Sequence, residues 1–161
     1  MRILGIDPGL ATVGIGIVEA TSAYDMKAIE WLTISTAAGL DVPIRLQEIH
    51  TDLSELIIQH KPDLAVVERL FFETNAKTAI HVAEARGVIL LTLQEHAIPL
   101  LEPTPLQLKS AITGDGQADK RQMQGMIQRL LHLQEIPRPD DAADALGLAV
   151  YGAIHNVRLM V

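Results

Sequence analysis

Apolar and polar positions alternate in short blocks at the start of the chain and then change to a helical period. Ile3 to Asp7 is a brief apolar run that stops at Pro8-Gly9, a turn pair. Val13 to Glu19 reads Val-Gly-Ile-Gly-Ile-Val-Glu, a strand with glycines where another backbone comes close. Lys27 to Ser35 predicts a third strand, and the short turns between them make an antiparallel meander. Pro43 stands where a helix accepts a first-turn proline, and Leu46, Ile49, Leu53, Leu56 and Ile57 follow at helical spacing. Lys61-Pro62-Asp63 breaks that helix. Leu64 to Glu68 is apolar until its last residue, the pattern of a parallel strand buried on both faces. A helix is predicted from about Ala76 to His96, a short strand over Ile98–Leu101, and helices over Leu106–Ile112, Lys120–Leu131 and Asp141–Val157. The order predicts an α/β fold: a mixed five-stranded sheet, three strands antiparallel and two parallel, with helices on both faces.

No repeat, low-complexity tract or linker divides the 161 residues, so one domain over 1–161 is expected. No apolar run approaches the ~20 residues of a membrane span. The most apolar stretch near the end, Ala145 to Ile154, stops at His155 and Asn156. Met1 opens directly onto the first strand, which predicts no signal or transit segment and a cytoplasmic protein. With no cysteine, disulfides and thiolate metal sites are excluded. A formal net charge of -7 and a pI near 5.3 are not the basic footprint of a nucleic-acid binder. Net charge is a sum, however, whereas a binding face is local, and cations on carboxylates cancel part of the total.

The acidic residues carry the candidate chemistry. Asp7 and Glu68 each close an apolar strand, and parallel neighbours would bring both carboxylates out at the carboxyl edge where open α/β sheets place their sites. Asp141 and Asp144 lie three apart on one face of a predicted helix, about 5–6 Å between Cβ atoms. Docking that face on the strand edge collects four carboxylates, which repel one another unless cations lie between them. Hard divalent ions with oxygen ligands, Mg²⁺ above all, answer that need. Two of them, about 3.5–4 Å apart, suit phosphodiester hydrolysis. The acids also have plainer roles, though Glu68, with Val67 before it and Leu70 to Phe72 after it apolar, is less easily given one. Asp7 suits a turn before Pro-Gly, and Asp140-Asp141 after Pro139 suit a helix cap and first turn. Asp144, among Ala142, Ala143 and Ala145, fits that plainer role less well.

These same segments resemble the RuvC family of Holliday-junction resolvases. Gly5-Ile6-Asp7-Pro8-Gly9-Leu10-Ala11-Thr12-Val13-Gly14 is similar to its opening strand and turn, and Val67-Glu68-Arg69-Leu70-Phe71-Phe72 to its second acidic motif. Ala85-Arg86-Gly87 resembles the next helix, Thr113 to Lys120 the DNA-contacting loop, and Asp140 to Leu146 the final acidic helix. The similarity runs through nearly the whole chain in order. It implies a ribonuclease-H-like fold and a homodimer facing a four-way DNA junction. It also implies paired symmetric nicks in strands of like polarity, Mg²⁺ or Mn²⁺ as cofactor, and work beside the RuvA–RuvB branch-migration complex. By the resemblance the metal ligands and catalytic residues are Asp7, Glu68, Asp141 and Asp144, the family's last motif being variable at the position of Asp141. Lys109 and Lys120 fall where the family places lysines near the scissile phosphate. Arg121 and Arg86 are further DNA candidates, Arg86 having helix packing as its alternative role. Arg69 stands where the family commonly has glutamine, and its charge suits either a phosphate or a salt bridge. Phe71 is the expected wedge or stacking platform at the junction, and Phe72 a core residue.

Other signals count for less. The six histidines show no close ligand spacing and read as surface or packing residues. Gly114-Asp115-Gly116 lacks the rest of a P-loop, so no nucleotide cofactor is expected. Met123 and Met126 read as core or dimer packing. Two rival functions share parts of the pattern: an actin-like ATPase fragment, through Gly5 to Gly9, and a YqgF-like relative acting on RNA, through Asp7-Pro8-Gly9. A catalytically silent junction-binding scaffold is a third, opposed by acids at all four positions.

Overall fold

The computed structural model describes residues 1–70 and 76–156. In chain order the elements are β1 (Arg2–Asp7), β2 (Thr12–Ser22), β3 (Asp25–Ser35), α1 (Val42–His60), β4 (Leu64–Val67), α2 (Ala76–Glu95), β5 (Leu100–Leu101), α3 (Pro105–Thr113), α4 (Lys120–Leu130) and α5 (Asp140–His155). The strands form one five-stranded sheet in the order β3-β2-β1-β4-β5. β1–β2 and β2–β3 are antiparallel, and β1–β4 and β4–β5 are parallel, as the sequence predicted. The predicted boundaries differ mainly at strand ends: β2 and β3 run to 11 residues each, while β5 keeps two ladder residues at the sheet edge.

Period-two alternation divides each strand between two cores. Leu4 and Ile6 of β1, Val13, Ile15 and Ile17 of β2, and Ala65 and Val67 of β4 pack with Ile49, Leu53 and Ile57 of α1 and Ile89 and Leu93 of α2. On the other face Ile3, Val18, Leu64 and Val66 pack with Ile127 of α4 and with Leu146, Leu148 and Ala149 of α5. By the same parity Asp7 and Glu68 belong to the α5 face. The sheet is therefore sealed by α1 and α2 on one side, and the site forms on the other.

α5 lies directly on backbone. Gly5 pairs with Gly16, and Asp7 with Gly14, across the β1–β2 ladder. A Cβ at Gly5 would fall 1.9 Å from the Ala145 carbonyl oxygen, at Gly16 2.5 Å from the Leu146 amide nitrogen, and at Gly14 2.0 Å from the Asp141 carbonyl oxygen. Only glycine admits the helix so near, so these positions set how deep the first two turns of α5 sit. The small residues Ala142, Ala143 and Ala145 are buried in the same approach.

Candidate active site

β1 and β4 run parallel with Ile6 opposite Val67, so the next residues, Asp7 and Glu68, leave the sheet side by side. α5 supplies Asp144 from its second turn. Asp7, Glu68 and Asp144 line a cleft of about 240 Å³ together with Lys109 of α3 and Lys120 of α4, over an apolar floor that includes Leu108, Ile127 and Leu148. Asp141 is not among the lining residues, although its charge still acts on Asp7. Two capped helices bring the lysines in. Thr104 caps α3 through the Gln107 amide, and Asp119 caps α4 through the Gln122 amide, each with a reciprocal glutamine contact. The loop between them is held locally: the Gln117 amide donates to Asp115 Oδ1 and the Asp115 amide to Thr113 Oγ1.

Repulsion within the cleft is visible in the proton affinities. Burial, then the charges of Asp144, Asp141 and Glu68, push the Asp7 carboxyl up to about 7, against a smaller opposing pull from Lys120. Glu68 is raised by burial and by Asp144, with Lys109 pulling the other way. Burial also raises Asp144 despite the nearby Lys120. Such a set favours either protons or cations between its members.

The expected metal centre meets the structure only in outline. Among the described residues no group of three or more His, Cys, Asp or Glu side chains is gathered tightly enough to hold an ion. The carboxylates border one cleft without closing on a point, and one of them already has a partner: Lys120 Nζ lies 3.7 Å from Asp144 Oδ2 and 2.9 Å from Asp140 Oδ2. The donor chemistry nevertheless fits a hard divalent cation, being all carboxylate oxygen and short of positive charge.

Arg86 is mostly buried and engaged within the fold. Its side chain is 16% exposed and is spent on a clamp: Nε donates to the Glu68 carbonyl oxygen at 3.1 Å, and the guanidinium pairs with Glu102. The helix-packing alternative is the one observed, because the guanidinium ties α2 to the residue after β4 and to the residue after β5. Arg69 is exposed, with its amide donating to the Pro103 carbonyl oxygen and no side-chain ion pair among the described residues. Arg121 is exposed and equally without an ion pair among them. Phe71 and Phe72 lie outside the described residues. Met123 and Met126 are partly buried against the α5-side core. Two participants were not singled out from sequence. Glu102 follows an apolar strand just as Glu68 does, which was a usable signal; the pairing of Asp140 with Lys120 had none.

A five-stranded mixed sheet of this order, with carboxylates at the carboxyl edge of its central parallel pair, defines the ribonuclease-H-like class. Residues 3–152 match the family model described as crossover junction endodeoxyribonuclease RuvC. The crossover junction endodeoxyribonuclease RuvC of Syntrophomonas wolfei is 49% identical over 159 residues, covering 99% of this chain and 91% of that protein. The chain belongs to the RuvC family. The structure of Thermus thermophilus RuvC in complex with Holliday junction substrate superposes with a TM-score of 0.92 at 31% identity, covering 99% of this chain and 96% of that one. The yeast mitochondrial Holliday junction resolvase shares the fold at 16% identity, with a TM-score of 0.62 over 92% of this chain and 77% of that one.

Proposed function

We propose that the protein is a crossover junction endodeoxyribonuclease that resolves four-way DNA junctions by metal-dependent hydrolysis, in recombination and repair. The observation that carries this reading is the adjacency of Asp7 and Glu68 at the ends of parallel β1 and β4, with Asp144 of α5 lining the same cleft. Asp7, Glu68 and Asp144 are its metal ligands, joined by Asp141 when an ion draws the carboxylates together. Bound Mg²⁺ or Mn²⁺, two per site in this reading, supplies a nucleophile at neutral pH and charge stabilisation of the leaving oxygen. Asp7 and Glu68 hold their oxygens at the sheet edge while the apolar floor limits water. Lys109 and Lys120 neutralise phosphate charge beside the carboxylates, and exposed Arg121 and Arg69 extend that contact along the strand. Phe71, three positions after Glu68 in the sequence, opens the junction by wedging or stacking.

Residues 1–161 act as one nuclease domain. It works as a homodimer, which presents two sites for paired symmetric nicks in strands of like polarity. The outer face of α2 suits that pairing: Ile80 and Leu91 are 61% and 57% exposed, and Gly87 between them has open space above it. The RuvA–RuvB branch-migration complex is the expected partner and the cytoplasm the expected location; no helix among the described residues is long and apolar enough to cross a membrane. The actin-like ATPase and YqgF-like readings are not favoured, since the 49% identity over nearly the full chain is to a junction endonuclease. The deciding experiment incubates the protein with a synthetic four-way junction, linear duplex and RNA–DNA hybrid, with Mg²⁺, Mn²⁺ or EDTA. Symmetric nicks in the junction alone, lost in EDTA, are expected; cutting confined to the hybrid would overturn the reading.

A further inference from the structure

The positive charge at the cleft is unevenly deployed. Lys109 lines it without an ion pair among the described residues, whereas Lys120 is in contact with two carboxylates of one helix. Asp140 and Asp144 stand one helical turn apart at the start of α5, and Lys120, first residue of α4, spans them. Its nearer partner is Asp140, which does not line the cleft, is 66% exposed and takes a longer contact of 3.5 Å from Gln124 Nε2. Its farther partner, Asp144 Oδ2, belongs to the cleft. An exposed lysine gains little from a single carboxylate, since fixing its long side chain costs most of what the pair returns. Two carboxylates together hold it, weakly and reversibly. The same ammonium has a better partner when a phosphodiester arrives, because DNA presents a row of phosphates with condensed counter-ions ready to be released.

We infer that Lys120 is a tethered counter-ion of the cleft. In the DNA-free protein it rests on the Asp144 oxygen that a divalent cation requires, moored by Asp140, and it moves onto a backbone phosphate when DNA enters. Metal and DNA then favour one another through this side chain, and an ion is held most firmly only when there is a strand to cut. The inference rests on the reading of Asp144 as a metal ligand, and it makes Lys120 a positioning residue for the ion as well as a phosphate contact. Asp140 makes no capping hydrogen bond, the N-cap of α5 being Pro139; it is a first-turn acid whose side chain holds Lys120.

The test measures Mn²⁺ binding to the full-length, DNA-free protein by the paramagnetic signal of free Mn²⁺. Lys120→Met is expected to bind Mn²⁺ roughly two- to fivefold more tightly than the unaltered protein, the span of an exposed ion pair. Lys120→Arg, which keeps the charge, is expected to show no tightening. Lys109→Met removes an equal charge from the same cleft without breaking a contact, and its effect is expected to be the smaller. Unchanged or weaker binding by Lys120→Met overturns the inference, and so does equal tightening by Lys109→Met, which would assign the effect to net charge alone. Asp144→Asn separates the two readings. If Mn²⁺ binding ignores that substitution, the metal-ligand assignment and the inference fall together; if binding depends on Asp144 but not on Lys120, only the inference falls. Junction binding in EDTA gives an independent readout, in which Lys120→Met should lower the steepness of the salt dependence by about one ion. An unchanged slope would overturn the transfer to phosphate.

Discussion

Gly14 of β2 faces the backbone of Asp141 so closely that a Cβ there would stand 2.0 Å from the Asp141 carbonyl oxygen and 3.1 Å from the Asp7 Cβ. A strand glycine thus sets the distance between a carboxylate of the sheet and the helix that completes the site. Gly14→Ala is expected to lift the first turn of α5 and to widen the cleft between Asp7 and Asp144. Since a displacement of about 1 Å near reacting groups costs on the order of 10²-fold, junction cleavage should fall by about that factor. The melting temperature should fall as well. Gly125→Ala is the companion: the space around Gly125 is open and its site is inside α4, so stability should rise by about 0.5–1 kcal/mol with cleavage unaltered. Normal cleavage by Gly14→Ala would mean that the close approach does not govern the site.

The proton affinity of Asp7 predicts how the metal-free protein responds to pH. Its carboxyl is raised from the ordinary 3.8 to about 7, so between these values the folded state holds a proton that the unfolded chain has released. Stability must then fall as pH rises from about 4 to about 7 and level off above. The raised affinities of Glu68 and Asp144 act in the same direction. In EDTA the melting temperature is expected to drop between about pH 4 and about pH 7, and Asp7→Asn should flatten that drop. Mg²⁺ should stabilise the unaltered protein more at the alkaline end of that window than at the acid end, because it replaces the protons. A melting temperature with the same pH profile in Asp7→Asn would remove Asp7 as the source. Cleavage by Asp7→Asn should be abolished while junction binding persists.

Parity along β1 and β4 made much of this legible from sequence. Asp7 follows Ile3 and Gly5 by steps of two, and Glu68 follows Leu64 and Val66, so both acids fall on the face opposite Leu4, Ile6, Ala65 and Val67. Local pattern also located α1, where Pro43 and the Leu46–Ile57 spacing agree. Sequence could mark Gly14 and Gly16 as points of close approach but not name α5 as what approaches, because that contact joins residues more than a hundred positions apart. The Arg86–Glu102 pair and the Lys120–Asp140 pair were hidden for a related reason, each joining two elements whose docking no local pattern reveals. β5 shrinks to Leu100–Leu101 because an edge strand needs only a few ladder bonds to β4, and the apolar run Ile98–Leu101 does not reveal how many form.

Arg86 tests whether the backbone at Glu68 needs external support. Its guanidinium bonds the Glu68 carbonyl oxygen and Glu102 at once, so Arg86→Ala leaves two half-buried acceptors unanswered, a loss of about 1–3 kcal/mol. Arg86→Lys restores the charge without the planar fork and should recover only part of the stability. Because the clamp acts on Glu68 rather than on DNA, kcat is expected to fall more than junction affinity does. Equal loss of affinity for junction in both variants, with kcat preserved, would return Arg86 to the DNA-contact role.

Phe71 is the position that the resemblance to the RuvC family marks for the wedge or stacking role. Removing a wedge takes away strand opening and leaves the carboxylates untouched. Phe71→Ala should therefore cut a four-way junction poorly while binding Mn²⁺ as before. Cutting at the normal rate would end the wedge reading.

α2 carries apolar side chains on both of its faces. Ile89 and Leu93 are buried in the core under the sheet, while Ile80 and Leu91 project outward beside the open space at Gly87. Ile80 and Leu91 stand three turns apart on one stripe of the helix, with Glu84 and Gly87 between them. In the proposed homodimer the open space at Gly87 would let the α2 helices of two copies approach, with Leu91 in the seam. Leu91→Asp places a charge in that seam and should convert a dimer to a monomer in sedimentation, with the circular dichroism of the fold retained. The monomer is expected to nick a junction on one strand and to lose the second, symmetric nick. If Leu91→Asp stays dimeric and still cuts both strands, the two copies must meet through a different face.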